Sequence, residues 1–187
     1  MIPGAEEHFV AELESRDAFA AALGMHVPDE WPPQFYDADA IRWTLGYVRE
    51  NPDHGGWSFY YLTLPAGVDQ PATVIGAAGF KGPPNADGEV ELGYGLVPSY
   101  QRRGYATEAV RGMATFAFAH PRVTTVVGQT IQTLVGSIGV LEKAGFLFDG
   151  EGNDPHAPEG EPVLRYVLSR RRYNEAMSSR APRLRSG

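Results

Sequence analysis

The sequence has 187 residues, 43% of them hydrophobic and 21% charged, which predicts one folded domain with a substantial core. It contains no cysteine, and this excludes disulfides, thiolate metal sites and a cysteine nucleophile. No apolar run approaches the roughly 20 residues of a membrane span, and the start of the chain lacks the pattern of a secretion signal. We therefore expect a cytoplasmic protein that does not enter a membrane.

The net charge of −7 is distributed unevenly along the chain. Residues 170–187 contain six arginines and one acidic residue, a balance of +5, so the preceding residues carry −12. A body this acidic argues against general nucleic-acid binding, which needs a basic face. We expect one domain over residues 1–169 and a basic C-terminal tail over 170–187, which is typical of a solvated, partly frayed terminus.

Periodicity, turns and caps predict an α/β order of elements without internal repeats. We expect a first strand over 8–13, then a short helix capped by Ser15 or Asp17, then a second helix capped by Asp37 or Asp39. The later elements are predicted to be strands over 57–64, 73–80 and 89–97, a helix over 107–119, a strand over 123–131, a helix over 135–144 that ends at Gly145, and strands over 146–148 and 163–168.

One turn between a strand and a helix has an unusual sequence, YQRRGYAT over residues 100–107. The first turn of a helix has unpaired N–H groups and a partial positive charge. Gly104 lets the backbone approach a ligand closely, and the two arginines before it add positive charge. The turn therefore predicts a phosphate or pyrophosphate site. The alternative is an ordinary helix start with two solvated arginines.

The same turn carries a family motif. Gln101-x-x-Gly104-x-Ala106 resembles the Q/R-x-x-G-x-G/A motif of the GNAT superfamily of acyl-CoA-dependent N-acetyltransferases. The stretch VELGYGLVPSY before it resembles the fourth strand of that fold, TEAVRGMATFAF the helix after the motif, and SIGVLEKAGF a later helix with its terminal glycine. The similarity covers about residues 70–170 and is greatest to the branch that includes the ribosomal-protein acetyltransferases.

The resemblance implies a fold and a co-substrate. It implies one α/β (α+β) domain with a mixed, mostly antiparallel sheet of about six to seven strands, splayed between strands 4 and 5 and flanked by about four helices. Acetyl-CoA would lie in the cleft between these strands, without a metal, and the backbone of Leu96 and Val97 would pair with its pantetheine arm. The coenzyme phosphates would lie against a set of turn residues, in which each arginine side chain either contacts phosphate or faces water: Gln101, Arg102, Arg103, Gly104, Tyr105, Ala106 and Thr107.

The resemblance also implies two catalytic residues. An alkylammonium must lose a proton before its nitrogen attacks the thioester, and Glu91 lies where several family members carry the glutamate base. Glu89 shares its face of the strand and is the second candidate. Ser137 aligns with a helix serine near the coenzyme sulfur, where it would orient the thioester by hydrogen bonding; the alternative is a serine bonded to its own helix backbone. Leu134 stands where the family commonly has an asparagine, and residues 131–146 contain no tyrosine.

The acceptor side is expected to involve aromatic residues, for which the candidates are Trp31, Phe35, Tyr36 and Trp57. An acidic loop over residues 149–161 would attract a cationic amine or a basic peptide, unless it is simply a solvated loop. We therefore expect a small-molecule or peptide amine as acceptor. If the protein oligomerises, a homodimer is the expected assembly.

Three functions stay open on the sequence. The first is an N-acetyltransferase in which the amine attacks acetyl-CoA directly in a ternary complex. The second is a non-catalytic acyl-CoA-binding regulatory module, which the missing asparagine and tyrosine favour. The third is a nucleic-acid or ribosome-associated protein that would use the arginines over 170–185. The five histidines have no metal-ligand spacing, so no metal site is predicted.

Overall fold

The computed structural model describes residues 1–155 and 157–180, within which seven strands form one sheet beside six α-helices and a short 3-10 turn at Pro98–Tyr100. The strands are β1 (Ile2–Pro3), β2 (Phe59–Leu64), β3 (Thr73–Phe80), β4 (Glu89–Leu96), β5 (Thr125–Ile131), β6 (Leu147–Glu151) and β7 (Val163–Ser169). The helices are α1 (Glu6–Glu14), α2 (Arg16–Leu23), α3 (Ala38–Glu50), α4 (Tyr105–Ala119), α5 (Val135–Ala144) and α6 (Arg170–Arg180).

The sheet has the order β1-β2-β3-β4-β5-β7-β6, and β4 and β5 are its one parallel pair among the described strands. Their pairing runs from Glu89 opposite Thr125 to Leu92 opposite Gly128 and then stops. Both strands continue beyond that point, β4 to Leu96 and β5 to Ile131. The expected splay is therefore confirmed, and it opens a gap between the two strands at the centre of the sheet.

The expected strand over 8–13 is wrong, because these residues lie in α1. Phe9 and Leu13 are four positions apart, so a helix brings both to one face, where they pack in the core, while Val10 is 44% exposed. The first strand is instead β1, which pairs with Tyr60 and Tyr61 of β2. Helix α6 was also missed, so the domain has six helices rather than about four.

The structure shows which of the alternative cap residues begin the two helices. The Ser15 hydroxyl accepts a hydrogen bond from Ala18 N (3.1 Å) and begins α2, and the Asp37 carboxylate accepts from Asp39 N and Ala40 N and begins α3. Gly145 ends α5 in the left-handed conformation (φ 103°), as predicted.

Two apolar cores lie on opposite faces of the sheet. The larger core packs α4 and α5 against one face, and there Leu141 sits so close to Gly128 that a Cβ on this glycine would be 2.6 Å from its side chain. The smaller core packs α1, α2 and α3 over β2 and β3 and is rich in aromatic rings. The second face is left uncovered by helices beside β4, β5 and β7, where polar side chains take the place of a core.

Helix α6 is tied to the domain by its first residue. The Arg170 guanidinium donates to three carbonyl oxygens around the end of α4, those of Phe118 (2.8 Å), His120 (2.6 Å) and Val123 (2.8 Å), and it lies over the Phe118 ring. The basic segment therefore begins as a docked helix rather than a frayed tail, while residues 181–187 lie outside the described residues. No described helix has both the length and the apolar character that crossing a membrane requires.

The smaller core contains a carboxylate that is held by aromatic donors. Glu12 of α1 accepts hydrogen bonds from Trp31 Nε1 (2.7 Å), Tyr61 Oη (2.8 Å) and Tyr36 Oη (3.1 Å). Burial raises the pKa of Glu12, and the three hydrogen bonds oppose part of this rise. Burial likewise raises the pKa of Tyr61 and Tyr36, so both stay hydrogen-bond donors to the carboxylate.

We predict that Arg170→Ala lowers the free energy of unfolding by about 2–3 kcal/mol, because three carbonyl groups lose a charged donor. Arg171→Ala is the matched control: its side chain is 88% exposed and its contact with Glu175 is 3.6 Å long, so its loss should change stability by less than about 0.5 kcal/mol. Urea unfolding of both variants measures the difference. Equal effects would contradict the docking role of Arg170.

The raised pKa of Glu12 predicts how stability depends on pH. The folded state holds this proton more tightly than the unfolded state, so the contribution of Glu12 to stability is complete below its unfolded pKa and is lost as pH rises through its folded pKa. Glu12→Gln removes the titration. The stability of the wild type relative to this variant should therefore fall as pH rises from acid to neutral in parallel unfolding series. A difference that grew with pH would show the opposite sign of the pKa shift.

Candidate active site

The gap between β4 and β5 has backbone groups without strand partners on its β4 side. Val97 N donates to Ile75 O (3.0 Å), and alternate residues of an antiparallel strand bond to the same neighbour, so the backbone of residues 95 and 97 faces β3. The backbone groups of Tyr94 and Leu96 therefore face the gap. Of the pair expected to meet a pantetheine arm, Leu96 lies at the gap, whereas the N–H of Val97 is already used.

The turn at the open end of the gap presents a run of free donors. Arg102 and Gly104 both have positive φ (60° and 89°), and α4 begins directly after Gly104. Within the described part of the chain, the backbone N–H groups of residues 102–107 donate no hydrogen bond, and the first helical bond is that of Glu108 N to Gly104 O (3.0 Å). Consecutive free N–H groups at a helix N-terminus form a site for an anion.

The side chains of this turn have separate roles. Gln101 Nε2 donates to Leu96 O (3.0 Å), so it satisfies the last carbonyl of β4 and fixes the turn to the strand. Tyr105 and Ala106 pack against the larger core. Arg102 and Arg103 are exposed, and the Arg103 guanidinium lies 5.5 Å from the centroid of the Tyr100 ring. The turn geometry therefore places the free N–H groups, whereas the arginine side chains extend into solvent.

On the uncovered face of the sheet, Glu91 is the centre of a polar network. Its Oε1 lies 2.6 Å from Lys81 Nζ, and its Oε2 accepts a hydrogen bond from Gln129 Nε2 (3.0 Å). Lys81 Nζ also lies 3.2 Å from the Asp154 carboxylate. Burial by itself would lower the pKa of Lys81, but the contacts with Glu91 and Asp154 outweigh it, so the pKa of Lys81 is raised. Lys81 is therefore a cation at neutral pH and not a base.

Glu89 belongs to a second ion-pair group on the same face. Arg165 of β7 lies 2.7 Å from Glu89 and also contacts Asp149 of β6. The predicted sharing of one face by Glu89 and Glu91 is correct, but each carboxylate has its own cationic partner. Two acids of the predicted acidic loop, Asp149 and Asp154, thus form ion pairs on this face of the sheet.

On the opposite face, Ser137 is joined to β4. Tyr94 Oη lies 3.1 Å from both the carbonyl oxygen and the hydroxyl of Ser137 in the first turn of α5. Leu134 is the N-cap of this helix and makes no side-chain cap. The pKa of Tyr94 is raised by burial to about 12, against a smaller lowering by the bond to Ser137. Tyr94 is therefore protonated at neutral pH and can donate.

The aromatic candidates for the acceptor side divide between the two faces. Trp31 and Tyr36 lie together around Glu12 in the smaller core, and a Cβ on Gly95 of β4 would be 3.2 Å from Pro33 in the same loop, so this loop reaches the gap. Phe35 is in that loop and is 57% exposed. Trp57 instead packs against Phe80, Phe116 and His120 on the α4 side, apart from the other three.

Sequence reasoning missed four polar residues of this region: Glu12, Lys81, Tyr94 and Gln129. Lys81 could have been predicted, because the hairpin expected between β3 and β4 places it opposite Glu91. In the structure Lys81 N donates to Glu91 O (2.9 Å) across this hairpin. Tyr94 could have been predicted from alternation along β4, which places its side chain on the helix-covered face. Glu12 and Gln129 had no local signal. No cluster of His, Cys, Asp or Glu that could hold a metal occurs in residues 1–155 and 157–180.

Comparison with known proteins agrees with this geometry. The family model described as an acetyltransferase (GNAT) domain matches residues 7–147. An uncharacterized N-acetyltransferase of Bacillus subtilis (strain 168), YjdG, is 26% identical over 132 residues, which are 68% of this chain and 73% of that protein.

Solved structures share the fold at low identity. The aminoglycoside acetyltransferase AAC(6')-Ib in complex with coenzyme A has a TM-score of 0.61 and 18% identity, with 93% of this chain and 96% of that one covered. The RimL ribosomal L7/L12 alpha-N-protein acetyltransferase, also with coenzyme A, has a TM-score of 0.62 and 16% identity, with 90% and 92% covered. Since the family model spans most of the chain, the protein belongs to the GNAT acetyltransferase family and is an acyl-CoA-dependent N-acyltransferase of that type.

Proposed function

We propose that this protein transfers acetyl from acetyl-CoA to a primary amine of a small molecule or peptide, by direct attack in a ternary complex. The observation that carries the proposal is the run of free N–H groups over residues 102–107 at the open end of the gap. Unpaired N–H groups of this kind suit a pyrophosphate, and the gap beside them is bounded by unpaired strand backbone that suits the amides of a pantetheine arm. A cytoplasmic location and a homodimer stay predictions.

In this proposal the coenzyme and the acceptor approach from different sides of the sheet. The pyrophosphate binds the N–H groups of residues 102–107, with Gly104 allowing close approach, and the pantetheine arm enters the gap beside Leu96. The acceptor amine arrives on the uncovered face, where Glu91 lies one residue before the last β4–β5 pair. The thioester then lies between the two.

Glu91 is the proposed general base. The ammonium first gives one proton to the Glu91 carboxylate, and the neutral amine nitrogen then attacks the thioester carbonyl carbon. The carbon–sulfur bond breaks as the coenzyme A thiolate leaves with the electron pair, and the thiolate takes up the second proton that the amide nitrogen releases. A carboxylate has about four acceptor positions, so the contacts with Lys81 and Gln129 leave room for a third donor. Lys81 is 45% exposed, so its ammonium can move into solvent when another cation approaches Glu91. Ser137 is proposed to hydrogen-bond to the sulfur.

The charges of the uncovered face favour a cationic acceptor. Four acids and two bases contribute to it, a balance of −2: Lys81, Glu89, Glu91, Asp149, Asp154 and Arg165. Such a face attracts an alkylammonium from a distance. The names of the two enzymes compared above specify an aminoglycoside and a protein N-terminus, which are both amines. The aromatic loop with Trp31, Phe35 and Tyr36 is proposed to contact the non-reacting part of the acceptor.

The family assignment argues against the non-catalytic acyl-CoA-binding module that the sequence left open, although two features of the site would suit such a module. Both carboxylate oxygens of Glu91 already have partners, and Leu134 provides no polar side chain at the start of α5. In that case the protein would bind acetyl-CoA through the same turn and gap but would not transfer its acyl group. Turnover with any amine rejects this candidate.

Binding of acetyl-CoA should be lost when Gly104 is replaced by glutamate. A Cβ at Gly104 would meet no atom within 4 Å, so the change places a negative charge at the proposed pyrophosphate site without a steric clash. We expect affinity to fall at least about tenfold, because one like charge in such a site costs on the order of 1–2 kcal/mol. Calorimetric titration with acetyl-CoA measures this.

Gly104→Ala is the matched control, because both substitutions strain the same positive-φ backbone but only one adds charge. The strain is present with and without ligand, so it affects stability more than affinity, and the alanine variant should bind within about threefold of the wild type. Wild-type affinity in the glutamate variant would show that the pyrophosphate of the coenzyme does not bind at this turn.

Removal of the Glu91 carboxylate should greatly slow turnover and leave coenzyme binding unchanged. With a panel of cationic amines and thiol release as the readout, Glu91→Gln should lower kcat by about 10²–10⁴-fold, which is the usual contribution of a general base. Its acetyl-CoA affinity should match that of the wild type. Glu89→Gln removes the neighbouring carboxylate of the same face and should leave most of the activity. If both variants turned over equally well, Glu91 would not be the base.

A further inference from the structure

The hydrogen bonds between Tyr94 and Ser137 cross the gap where the sheet is no longer paired. Tyr94 lies two residues beyond the last β4–β5 pair, Leu92 opposite Gly128, and its hydroxyl reaches the first turn of α5 on the far side. A side chain thus connects the two sides at the level where backbone pairing has ended.

Tyr94 provides the side-chain contacts of the first turn of α5. Leu134 makes no side-chain cap, and Val135 is 74% exposed. Among the described residues, no other side-chain hydrogen bond reaches residues 135–138. Backbone bonds from Ser137 N and Ile138 N to Leu134 O form the turn, and the bond to Tyr94 is the side-chain contact that orients the Ser137 hydroxyl within it.

The Ser137 hydroxyl keeps a proton that it can donate to a ligand. A tyrosine hydroxyl has one proton, and Tyr94 can donate it to the carbonyl oxygen of Ser137 at 3.1 Å. The Ser137 hydroxyl, 3.1 Å from Tyr94 Oη, then keeps its own proton for Tyr94 or for another acceptor in the gap. On β5, two residues beyond Gly128, the buried hydroxyl of Thr130 has no hydrogen-bond partner within residues 1–155 and 157–180.

We propose that Tyr94 is a positioning residue: its hydroxyl holds Ser137 at the gap so that the serine hydroxyl hydrogen-bonds to the thioester end of acetyl-CoA. This inference rests on the proposed function, because it assumes that the pantetheine arm occupies the gap. It assigns to a residue of β4 the task of fixing a polar group on α5, where the chain has neither an asparagine at position 134 nor a tyrosine over 131–146. Tyr94 itself does not touch the reacting atoms.

The test compares two ligands in Tyr94→Phe, Ser137→Ala and the double variant. Acetyl-CoA reaches the gap, whereas adenosine 3′,5′-bisphosphate is the nucleotide end of the coenzyme without the pantetheine arm. Each single variant should bind acetyl-CoA about fivefold more weakly, the effect of one hydrogen bond, and the double variant should bind no more weakly than either single one. Affinity for the nucleotide should stay constant in all three.

Tyr173→Phe is the matched control. Tyr173 Oη also donates to a hydroxyl on another helix, that of Thr115 (3.1 Å), but it joins α6 to α4 and lies away from the gap. Its acetyl-CoA affinity should equal that of the wild type. Ser137→Ala keeps the Tyr94 ring in place, so it tests the hydrogen bond even if Tyr94→Phe folds poorly.

The outcomes separate this inference from the proposed function. If the wild type binds neither ligand, the proposed function fails and this inference fails with it. If the wild type binds acetyl-CoA but Tyr94→Phe binds it equally well, only the role of Tyr94 is overturned. Losses that multiply in the double variant would also overturn it, because they would show that Tyr94 and Ser137 act independently.

Discussion

The site depends on the point at which β4 and β5 stop pairing. Backbone polar groups inside a protein need partners, and both strands continue past Leu92 and Gly128 without one another. Two side chains provide contacts at this point: Gln101 donates a hydrogen bond to the carbonyl of Leu96, and Tyr94 connects β4 to α5. What is left unpaired, the N–H groups of the turn and part of the strand edge, is the part of the domain that a ligand can use.

Alternation along β4 gives the two faces of the gap different chemistry. Glu89 and Glu91 point to the uncovered face, where Arg165 of β7 pairs with Glu89 and Lys81 of the β3–β4 hairpin pairs with Glu91, while Tyr94 points to the face covered by helices. Both carboxylates are half-buried, and the cations beside them offset the cost of their partial removal from water. A carboxylate and a pair of hydroxyls therefore lie on either side of one strand, and the proposed function gives the two sides different roles.

Local signals predicted most of the elements, for reasons that the structure makes visible. Ser15, Asp37 and Gly145 act within a turn or two of their own position, so their effect can be read without the rest of the fold. The strand prediction over 8–13 failed because a short apolar segment fits either a helix or a strand, and only packing against the aromatic core distinguishes the two. Helix α6 has almost no apolar periodicity, and its docking through Arg170 depends on carbonyls from α4.

The sequence by itself determined the family, the order of the central elements, the position of the turn before α4 and the place of Glu91 in β4, because each rests on a contiguous motif or on strand periodicity. Only the tertiary structure decided which residues meet there. Glu91 and Gln129 come from two strands and Lys81 from the hairpin between β3 and β4, and Tyr94 and Ser137 are 43 residues apart. It also separated Trp57 from Trp31. Such contacts depend on sheet register and helix docking, which are long-range consequences of packing that no local pattern encodes.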